Sequence, residues 1–190
     1  QVVDLIYNHQ GKVVLTGIGK TGIIGKKIAA SLASTGTQAI FINAAEALHG
    51  DLGMVSRGDV VIAISNSGES DEILNVVRNL KKMNCPIVAM TGDKQSSLAQ
   101  QSDLVLDIHV EREACKIGLA PTTSTTAALV MGDALTVCLM EKRNFQPENF
   151  ALYHPGGALG RRMLTQVKDC MTDVVPMVRE ETLFKDVIAE

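Results

Sequence analysis

The sequence predicts an α/β protein in which a doubly wound, five-stranded parallel sheet carries helices on both faces. Short apolar runs rich in β-branched residues recur along the chain, and turn-forming residues close them. Amphipathic or apolar helical patterns lie between these runs, an alternation typical of parallel sheets with right-handed crossovers. The chain has 190 residues and is 46% hydrophobic, which suffices for one domain with a sizeable core.

The apolar runs place the strands in chain order. They are 12–16, 38–42, 60–64, 86–90 and 103–108. Helical patterns occupy the first ten residues and the segments 23–34 and 125–142; another follows the third strand, and a short helix with a loop follows the second. Because ligands of such sheets bind beyond the carboxyl ends of the strands, we expect the functional site in the loops at that edge.

The composition excludes several functional classes. A net charge of −3 without a basic run argues against a nucleic-acid surface, and 3% aromatic residues leave few groups for base stacking. No apolar run approaches membrane length, and the first ten residues do not resemble a signal peptide. Four scattered cysteines without CxxC spacing indicate reduced thiols rather than disulfides or a zinc site. We therefore expect a cytoplasmic protein.

The character of the chain changes after Leu164. The remaining segment is too short to complete a domain. We expect residues 1–164 to form the α/β domain and residues 165–190 to be a linker and the start of a second, truncated domain.

The most informative motif is the turn SNSGES at residues 65–70, between the third strand and an amphipathic helix. Free backbone N–H groups at the helix start, the positive end of the helix dipole and three serine hydroxyls converge there, and together they suit a phosphate. The alternative is that Ser67 or Ser70 only caps the helix. Three serines around one glycine favour the anion site.

A second glycine-containing turn follows the first strand. Gly17, Gly19 and Gly22 satisfy the GxGxxG pattern of dinucleotide-binding domains. Such a domain needs an acidic residue at the end of its second strand, where this chain has Phe-Ile-Asn, and the spacing of a Walker loop is also absent. A nicotinamide-dependent oxidoreductase is therefore disfavoured.

Charged residues follow the predicted strands. Lys20 lies in the first glycine turn, although a solvated lysine is the commoner case. Glu69 and Glu72 flank the start of the helix after the serine turn, where interaction with the helix dipole alone explains a carboxylate. Glu113 lies in a largely apolar segment, so we expect it to be buried with a raised pKa.

Hydroxyls and histidines complete the candidates. The hydroxyl cluster at 122–125 either caps the long helix or contributes to phosphate binding. His154 precedes Pro-Gly-Gly, so it is restricted in backbone and is not expected in a regular helix. A structural role and a catalytic role for this imidazole remain equally open. His49 in the segment LHGD is a weaker candidate of the same kind.

In combination, these motifs resemble the sugar isomerase (SIS) domain family of phosphosugar-binding proteins, and within it the arabinose-5-phosphate isomerases. The blocks that carry the resemblance span almost the whole chain: GIGKTGIIGKKIAASLASTGT, EALHGDLGM, VVIAISNSGESDEI, EACKIGLAPTTSTTAALVMGDAL and FALYHPGGALGRR. The resemblance implies interconversion of D-ribulose 5-phosphate and D-arabinose 5-phosphate, which supplies the acid sugar Kdo for lipopolysaccharide or capsule. It also implies that the C-terminal segment begins a pair of CBS modules.

The resemblance further implies a set of functional residues. The catalytic positions are Lys20, Glu72, Glu113 and His154. The substrate-binding positions are Gly19, Thr21, His49, Ser65, Asn66, Ser67, Ser70, Thr122, Thr123, Ser124 and Thr125. Departures from the family pattern occur at Thr21, Ile23 and Tyr153, and none of them removes a catalytic group.

The reaction needs a base that moves a proton between two carbons through a cis-enediol, without a cofactor or metal. We expect Glu113 to be this base and Glu72 to position hydroxyl protons, although the two could be exchanged. Lys20 would stabilise the enediolate oxygen, and His154 would shuttle protons between substrate oxygens.

The resemblance implies a homo-tetramer or dimer with shared active sites. Because the expected pocket accepts an anionic sugar, Kdo or its nucleotide form is a candidate feedback ligand. The main alternative is a non-catalytic phosphosugar-sensing domain. An amino-sugar phosphate isomerase or deaminase of the same fold is a third option, which the EAC and HPGG blocks disfavour.

Overall fold

The computed structural model describes residues 1–172, 177–183 and 185. Five parallel strands form one sheet in the order β2-β1-β3-β4-β5. The strands are β1 (Val13–Gly17), β2 (Ala39–Asn43), β3 (Val60–Ile64), β4 (Ile87–Thr91) and β5 (Leu104–Asp107). The predicted fold class is confirmed, and each predicted strand lies within one residue or so of its observed position.

Helices cover both faces of this sheet. In the described residues they are α1 (Val2–Asn8), α2 (Gly19–Ser34), α3 (Ala44–Ala47), α4 (Asp71–Lys82), α5 (Ser97–Gln100), α6 (Thr123–Lys142), α7 (Pro147–Tyr153), α8 (Ala158–Leu164) and α9 (Val167–Cys170). One core layer joins α1, α2 and α6 to the sheet, and the other joins α3, α4 and α5. Alternate strand residues feed the two layers: Leu15 packs towards α2 and Val14 packs towards α4.

The chain leaves β1 towards β2 on one side and returns through β3 on the other. The carboxyl ends of β1 and β3 therefore form the topological switch point of the sheet. The first glycine turn and the serine turn follow these two strands, so they flank this point together.

Helix α2 begins at Gly19 rather than at the predicted Ile23. The hydroxyl of Thr21 donates to the carbonyl of Ile18 at 2.9 Å and accepts from its N–H at 3.4 Å, which closes the first turn. Lys20 consequently lies in the first turn of a helix and not in a preceding loop.

The segment around the Pro-Gly-Gly motif contains two helices that the sequence interpretation left as loop. Helix α7 begins with Pro147 at its first position, and the side chain of Asn149 accepts from the N–H of Gln146 at 2.8 Å. His154 ends this helix with φ −128° and ψ 53°, so the expectation of a non-helical backbone there is confirmed. The turn 155–157 then leads into α8.

Helix α6 is long and apolar enough, by length and composition, to cross a membrane, with a mean hydropathy of 1.3. The core helix of a globular domain meets the same test, so the helix does not contradict the expectation that no apolar run approaches membrane length. The helix packs on α2 and the sheet through residues that include Ala128, Leu135 and Leu139, as the core helix of a globular domain does. Its apolar composition follows from this position.

The predicted division of the chain at Leu164 coincides with the end of α8. Residues 173–176, 184 and 186–190, which belong to the predicted second domain, lie outside the described residues. The two-domain organisation stays a prediction.

Candidate active site

A cavity of about 440 Å³ lies at the switch point between β1 and β3. Its walls come from the start of α2, the serine turn, the end of β5 and the start of α6 with the loop before it. It is lined by Ile18, Lys20, Thr21, Ser65, Asn66, Ser67, Ser70, Ile108, Glu113, Gly118, Leu119, Pro121, Ser124, Thr125 and Ala128. The structure therefore brings together polar residues that are far apart in sequence.

The serine hydroxyls of the turn form hydrogen bonds within the turn itself. Ser65 Oγ accepts from the N–H of Gly68 at 3.1 Å and lies 3.1 Å from Ser70 Oγ. Ser70 occupies the N-cap of α4, yet the described structure shows no side-chain capping hydrogen bond there. The alternative in which Ser70 serves only as a cap is therefore not what this helix start shows. The N–H groups of its first turn remain for an anion.

Gly68 fixes the shape of this turn. It has φ +67°, and a Cβ atom at this position would lie 2.1 Å from Ser96 Oγ. The carbonyl of Gly68 accepts from the N–H of Leu98 at 3.0 Å, and Glu69 Oε1 accepts from the N–H of Ser97 at 2.7 Å. Glu69 is thereby engaged at the start of α5, and it holds the serine turn to the next loop of the sheet edge.

Lys20 is solvent-exposed in the first turn of α2 and lines the cavity. No ion pair involves it among the described residues. An unpaired ammonium in the same lining as Ser65, Ser67 and Ser70 adds positive charge to the cavity.

Glu113 faces the same cavity, but its electrostatics are the opposite of the prediction. Its carboxylate accepts from the N–H and hydroxyl of Thr122, at 2.8 and 3.1 Å, and from the N–H of Ser124 at 3.2 Å. The Ser124 hydroxyl also donates to it. These donors, the Ser124 hydroxyl first, lower the pKa of Glu113 to about 2. The expectation of a buried carboxylate with a raised pKa is wrong, because Thr122 and Ser124 at the start of α6 donate hydrogen bonds to the ionised carboxylate.

The hydroxyl cluster is organised around this carboxylate. Thr122 is the N-cap of α6, and the Glu113 carboxylate, rather than a hydroxyl, accepts from the first N–H groups of the helix. Thr125 Oγ1 donates to the carbonyls of Pro121 and Thr122 at 3.2 and 3.0 Å, while Thr123 lines an adjacent open concavity. Ser124 and Thr125 line the main cavity and Thr122 does not.

Glu72, His154 and His49 do not line this cavity. Glu72 is exposed in the first turn of α4. His154 stacks on Phe150 with ring centroids 3.8 Å apart, and its Nδ1 lies 3.0 Å from the Phe150 carbonyl oxygen. His49 lines a separate concavity with Glu46 and Asp51. A single chain thus gathers half of the predicted catalytic set, Lys20 and Glu113.

The sequence interpretation missed the apolar part of the cavity wall, which includes Ile108, Leu119 and Ala128. Ile108 was predictable as the last residue of the fifth strand run, whose carboxyl end meets the same edge. Leu119 depends on the course of the loop before α6, for which the sequence offers no periodic signal.

The match to known families agrees with this geometry. Residues 5–138 match the model of the SIS domain. The chain belongs to the SIS domain family. In the part of this SIS domain that the structure describes, no group of three or more His, Cys, Asp and Glu is arranged to hold a metal ion.

Named relatives of this SIS domain are closely similar. It is 51% identical over 188 residues to the arabinose 5-phosphate isomerase KpsF of Escherichia coli O6:H1 (strain CFT073), which covers 99% of this chain and 58% of that protein. It is 52% identical over 189 residues to the arabinose 5-phosphate isomerase KdsD of Salmonella typhi, with 98% and 58% covered. The chain thus spans less than two thirds of these curated relatives.

Solved structures agree with the fold. An Escherichia coli CFT073 protein in complex with arabinose 5-phosphate has a TM-score of 0.79 and 49% identity over 81% of this chain and 82% of that one. The Vibrio vulnificus NanR protein complexed with ManNAc-6P has a TM-score of 0.68 and 21% identity over 86% of this chain and 60% of that one, which shows the fold alone.

Proposed function

We propose that this SIS domain interconverts D-ribulose 5-phosphate and D-arabinose 5-phosphate. The main observation behind this proposal is that Lys20, the serine turn and Glu113 line one cavity. The proposal is supported by sequence identities of 51% and 52% to proteins named arabinose 5-phosphate isomerase. A phosphate at the serine turn would supply the binding energy that positions the sugar carbons.

The chemistry is a proton transfer within the bound sugar. A carboxylate takes the proton from C2 of the aldose, the electron pair enters a cis-enediolate, and the proton returns to C1 to give the ketose. The Lys20 ammonium would stabilise the enediolate oxygen by its charge. Glu113 is the carboxylate that lines the cavity, so it is our choice of base, and Glu72 and His154 would move the hydroxyl protons.

The predicted catalytic residues outside this cavity support an oligomer with shared sites. His154 and Glu72 lie outside the cavity of their own chain, and a neighbouring copy would bring the missing groups. We propose a homo-tetramer or dimer of this kind. Light scattering combined with an activity assay tests it, and a monomer that turns over at the full rate would contradict it.

The proposed cellular context is a cytoplasmic enzyme that supplies Kdo synthesis for lipopolysaccharide or capsule, with CBS modules beyond this domain. Since the cavity accepts an anionic sugar, Kdo or its nucleotide form is a candidate feedback ligand. Isothermal calorimetry at millimolar ligand tests this binding, and a flat titration would contradict it.

Proton NMR of D-arabinose 5-phosphate in heavy water, with the purified domain, tests the proposed function. We expect ribulose 5-phosphate to form and deuterium to replace hydrogen at C2 of the aldose. Binding without exchange would instead favour the phosphosugar-sensing alternative.

A further inference from the structure

Among the described residues, Glu113 accepts four hydrogen bonds, and all of them come from Thr122 and Ser124. Oε2 accepts from the N–H and hydroxyl of Thr122 and from the N–H of Ser124, and Oε1 accepts from the Ser124 hydroxyl. Ser124 is 3% exposed, and it lines the same cavity as the serine turn. Both carboxylate oxygens are therefore occupied by donors from the start of α6.

A carboxylate held in this way is a weak base. Every donor stabilises its ionised form, and the acquired proton would compete with those donors for the same oxygens. A base that takes a proton from carbon works best when its pKa lies near the operating pH. We call this arrangement, in which both carboxylate oxygens accept hydrogen bonds, the resting state of Glu113.

We propose that Ser124 is a positioning residue that locks Glu113 in this resting state, and that a phosphosugar in the cavity releases the carboxylate by drawing the Ser124 hydroxyl to itself. The proposal rests on the proposed function, since it describes how that function's base is switched on. It assigns to Ser124 a contact with the base in the free chain and a contact with substrate only in the complex.

The charges around the cavity favour this exchange. Lys20 on α2 is the cation that lines the cavity together with Glu113, while Glu111, Arg112 and Lys116 lie on the carboxylate's own loop. The start of α6 and the serine turn add no charged side chain to the lining. A phosphate dianion at the serine turn would place a second negative charge in the cavity that Glu113 lines, which disfavours the ionised carboxylate.

The released carboxylate can then act. The C2–H bond of the sugar breaks, an O–H bond forms on Glu113, and the electron pair moves into the enediolate beside Lys20. The proton returns to C1 in the second half of the reaction, so no further reactant is consumed.

The experiment is a carbon-13 NMR titration of the full chain labelled at the glutamate side-chain carboxyl, with Glu113→Gln to identify the resonance. At about pH 4 an ordinary glutamate is largely protonated, whereas we expect Glu113 of the free protein to remain ionised. Ser124→Ala should raise the pKa of Glu113 by about one to two pH units, the effect of one charge-assisted hydrogen bond.

Two variants distinguish the loss of the Ser124 hydrogen bond from a general disruption of the start of α6. Thr126→Val removes a hydroxyl that donates to the Thr122 carbonyl at 2.8 Å and does not touch the carboxylate, so it should leave the Glu113 resonance unchanged. Ser124→Thr keeps the hydroxyl and should retain the low pKa, even if Ser124→Ala folds poorly.

Saturating arabinose 5-phosphate should raise the pKa of Glu113 in the unmodified chain. The proposed role of Ser124 would be refuted if Glu113 titrates like an ordinary glutamate in the free protein. It would also be refuted if neither Ser124→Ala nor the sugar changes the pKa of Glu113. Deuterium exchange at C2 is read on the same samples. Exchange at C2 with an unchanged pKa of Glu113 would refute the proposed role of Ser124 alone. A changed pKa of Glu113 without exchange would support that role and refute the isomerase function.

Discussion

Among single residues, Glu113 combines two duties that make opposite demands. Its carboxylate takes the first N–H groups of α6, which favours the anion, while the proposed reaction requires the same group to accept a proton. Substitutions at this position and near it separate the two roles.

Glu113→Gln should reduce turnover by about two to four orders of magnitude, because a neutral amide cannot take a proton from carbon. The heavy-water exchange assay measures this loss. Glu111→Gln is the matched control, since Glu111 is exposed on the same loop and should retain full turnover. Near-normal turnover of Glu113→Gln would remove Glu113 as the base and leave Glu72 as the remaining candidate.

The contribution of Glu113 to stability should depend on pH. Its pKa is lowered from 4.5 to about 2 in the folded chain, so its stabilising contribution is fully present above the unfolded value and disappears as the pH falls towards 2. In urea titrations, the difference in unfolding free energy between the unmodified chain and Glu113→Gln should shrink between about pH 6 and pH 3. A difference that is constant over this range would contradict the hydrogen-bonded carboxylate.

Ser67→Ala should weaken substrate binding more than it slows turnover. The Ser67 hydroxyl lines the cavity and accepts from the N–H of Glu69 at 3.3 Å, so it is free to donate to an anion. We expect KM to rise about tenfold, the effect of one lost hydrogen bond to a charged group. Ser34→Ala, at the far end of α2, is the control, and an unchanged KM for Ser67→Ala would count against the anion turn.

Among the elements, the serine turn and the helices that frame it decide the geometry of the site. The turn is held from behind by the loop before α5, through contacts at Gly68 and Glu69. Gly68 is therefore needed for two reasons, its positive φ and the nearness of Ser96.

Gly68→Ala should destabilise the domain by about 1–3 kcal/mol and abolish phosphosugar binding, because the turn must shift away from Ser96. Gly53→Ala is the control, as a Cβ there meets nothing within 4 Å. Thermal unfolding and calorimetry measure the two effects. Normal binding by Gly68→Ala would show that the turn does not shape the anion site.

Helix α6 packs on α2 so closely that a Cβ at Gly132 would lie 2.4 Å from Ile28, whose side chain is fully buried. Helix propensity alone predicts that Gly132→Ala stabilises the chain by about 1 kcal/mol. We expect instead a loss of about 1–2 kcal/mol from overpacking, read from urea unfolding. The exposed substitution Ala134→Gly should cost about 1 kcal/mol and so report propensity alone. A stabilised Gly132→Ala would contradict the tight contact.

For the whole molecule, the sequence predicts the sheet well because its strands contain short apolar runs, and the three central strands β1, β3 and β4 are buried along their whole length. The position of the serine turn at the sheet edge follows from the same reasoning. The protonation of Glu113 was not predictable in this way, since its donors at 122 and 124 reach it only through the course of an irregular loop. The positions of Glu72 and His154 outside the cavity likewise depend on how helices pack, which periodicity does not specify.

The position of the cavity at the switch point links ligand binding to the integrity of the whole domain. Its walls come from segments near residues 20, 67, 108 and 124, which approach one another only when both crossovers have formed. An unfolded or half-folded chain therefore has no binding site, and any ligand of the cavity must protect the native state by mass action. At a concentration of about one hundred times Kd this protection amounts to about 2.7 kcal/mol. The rise in melting temperature with added ligand thus becomes a direct measure of affinity, which makes thermal shift a ready screen for the sugars that this cavity accepts.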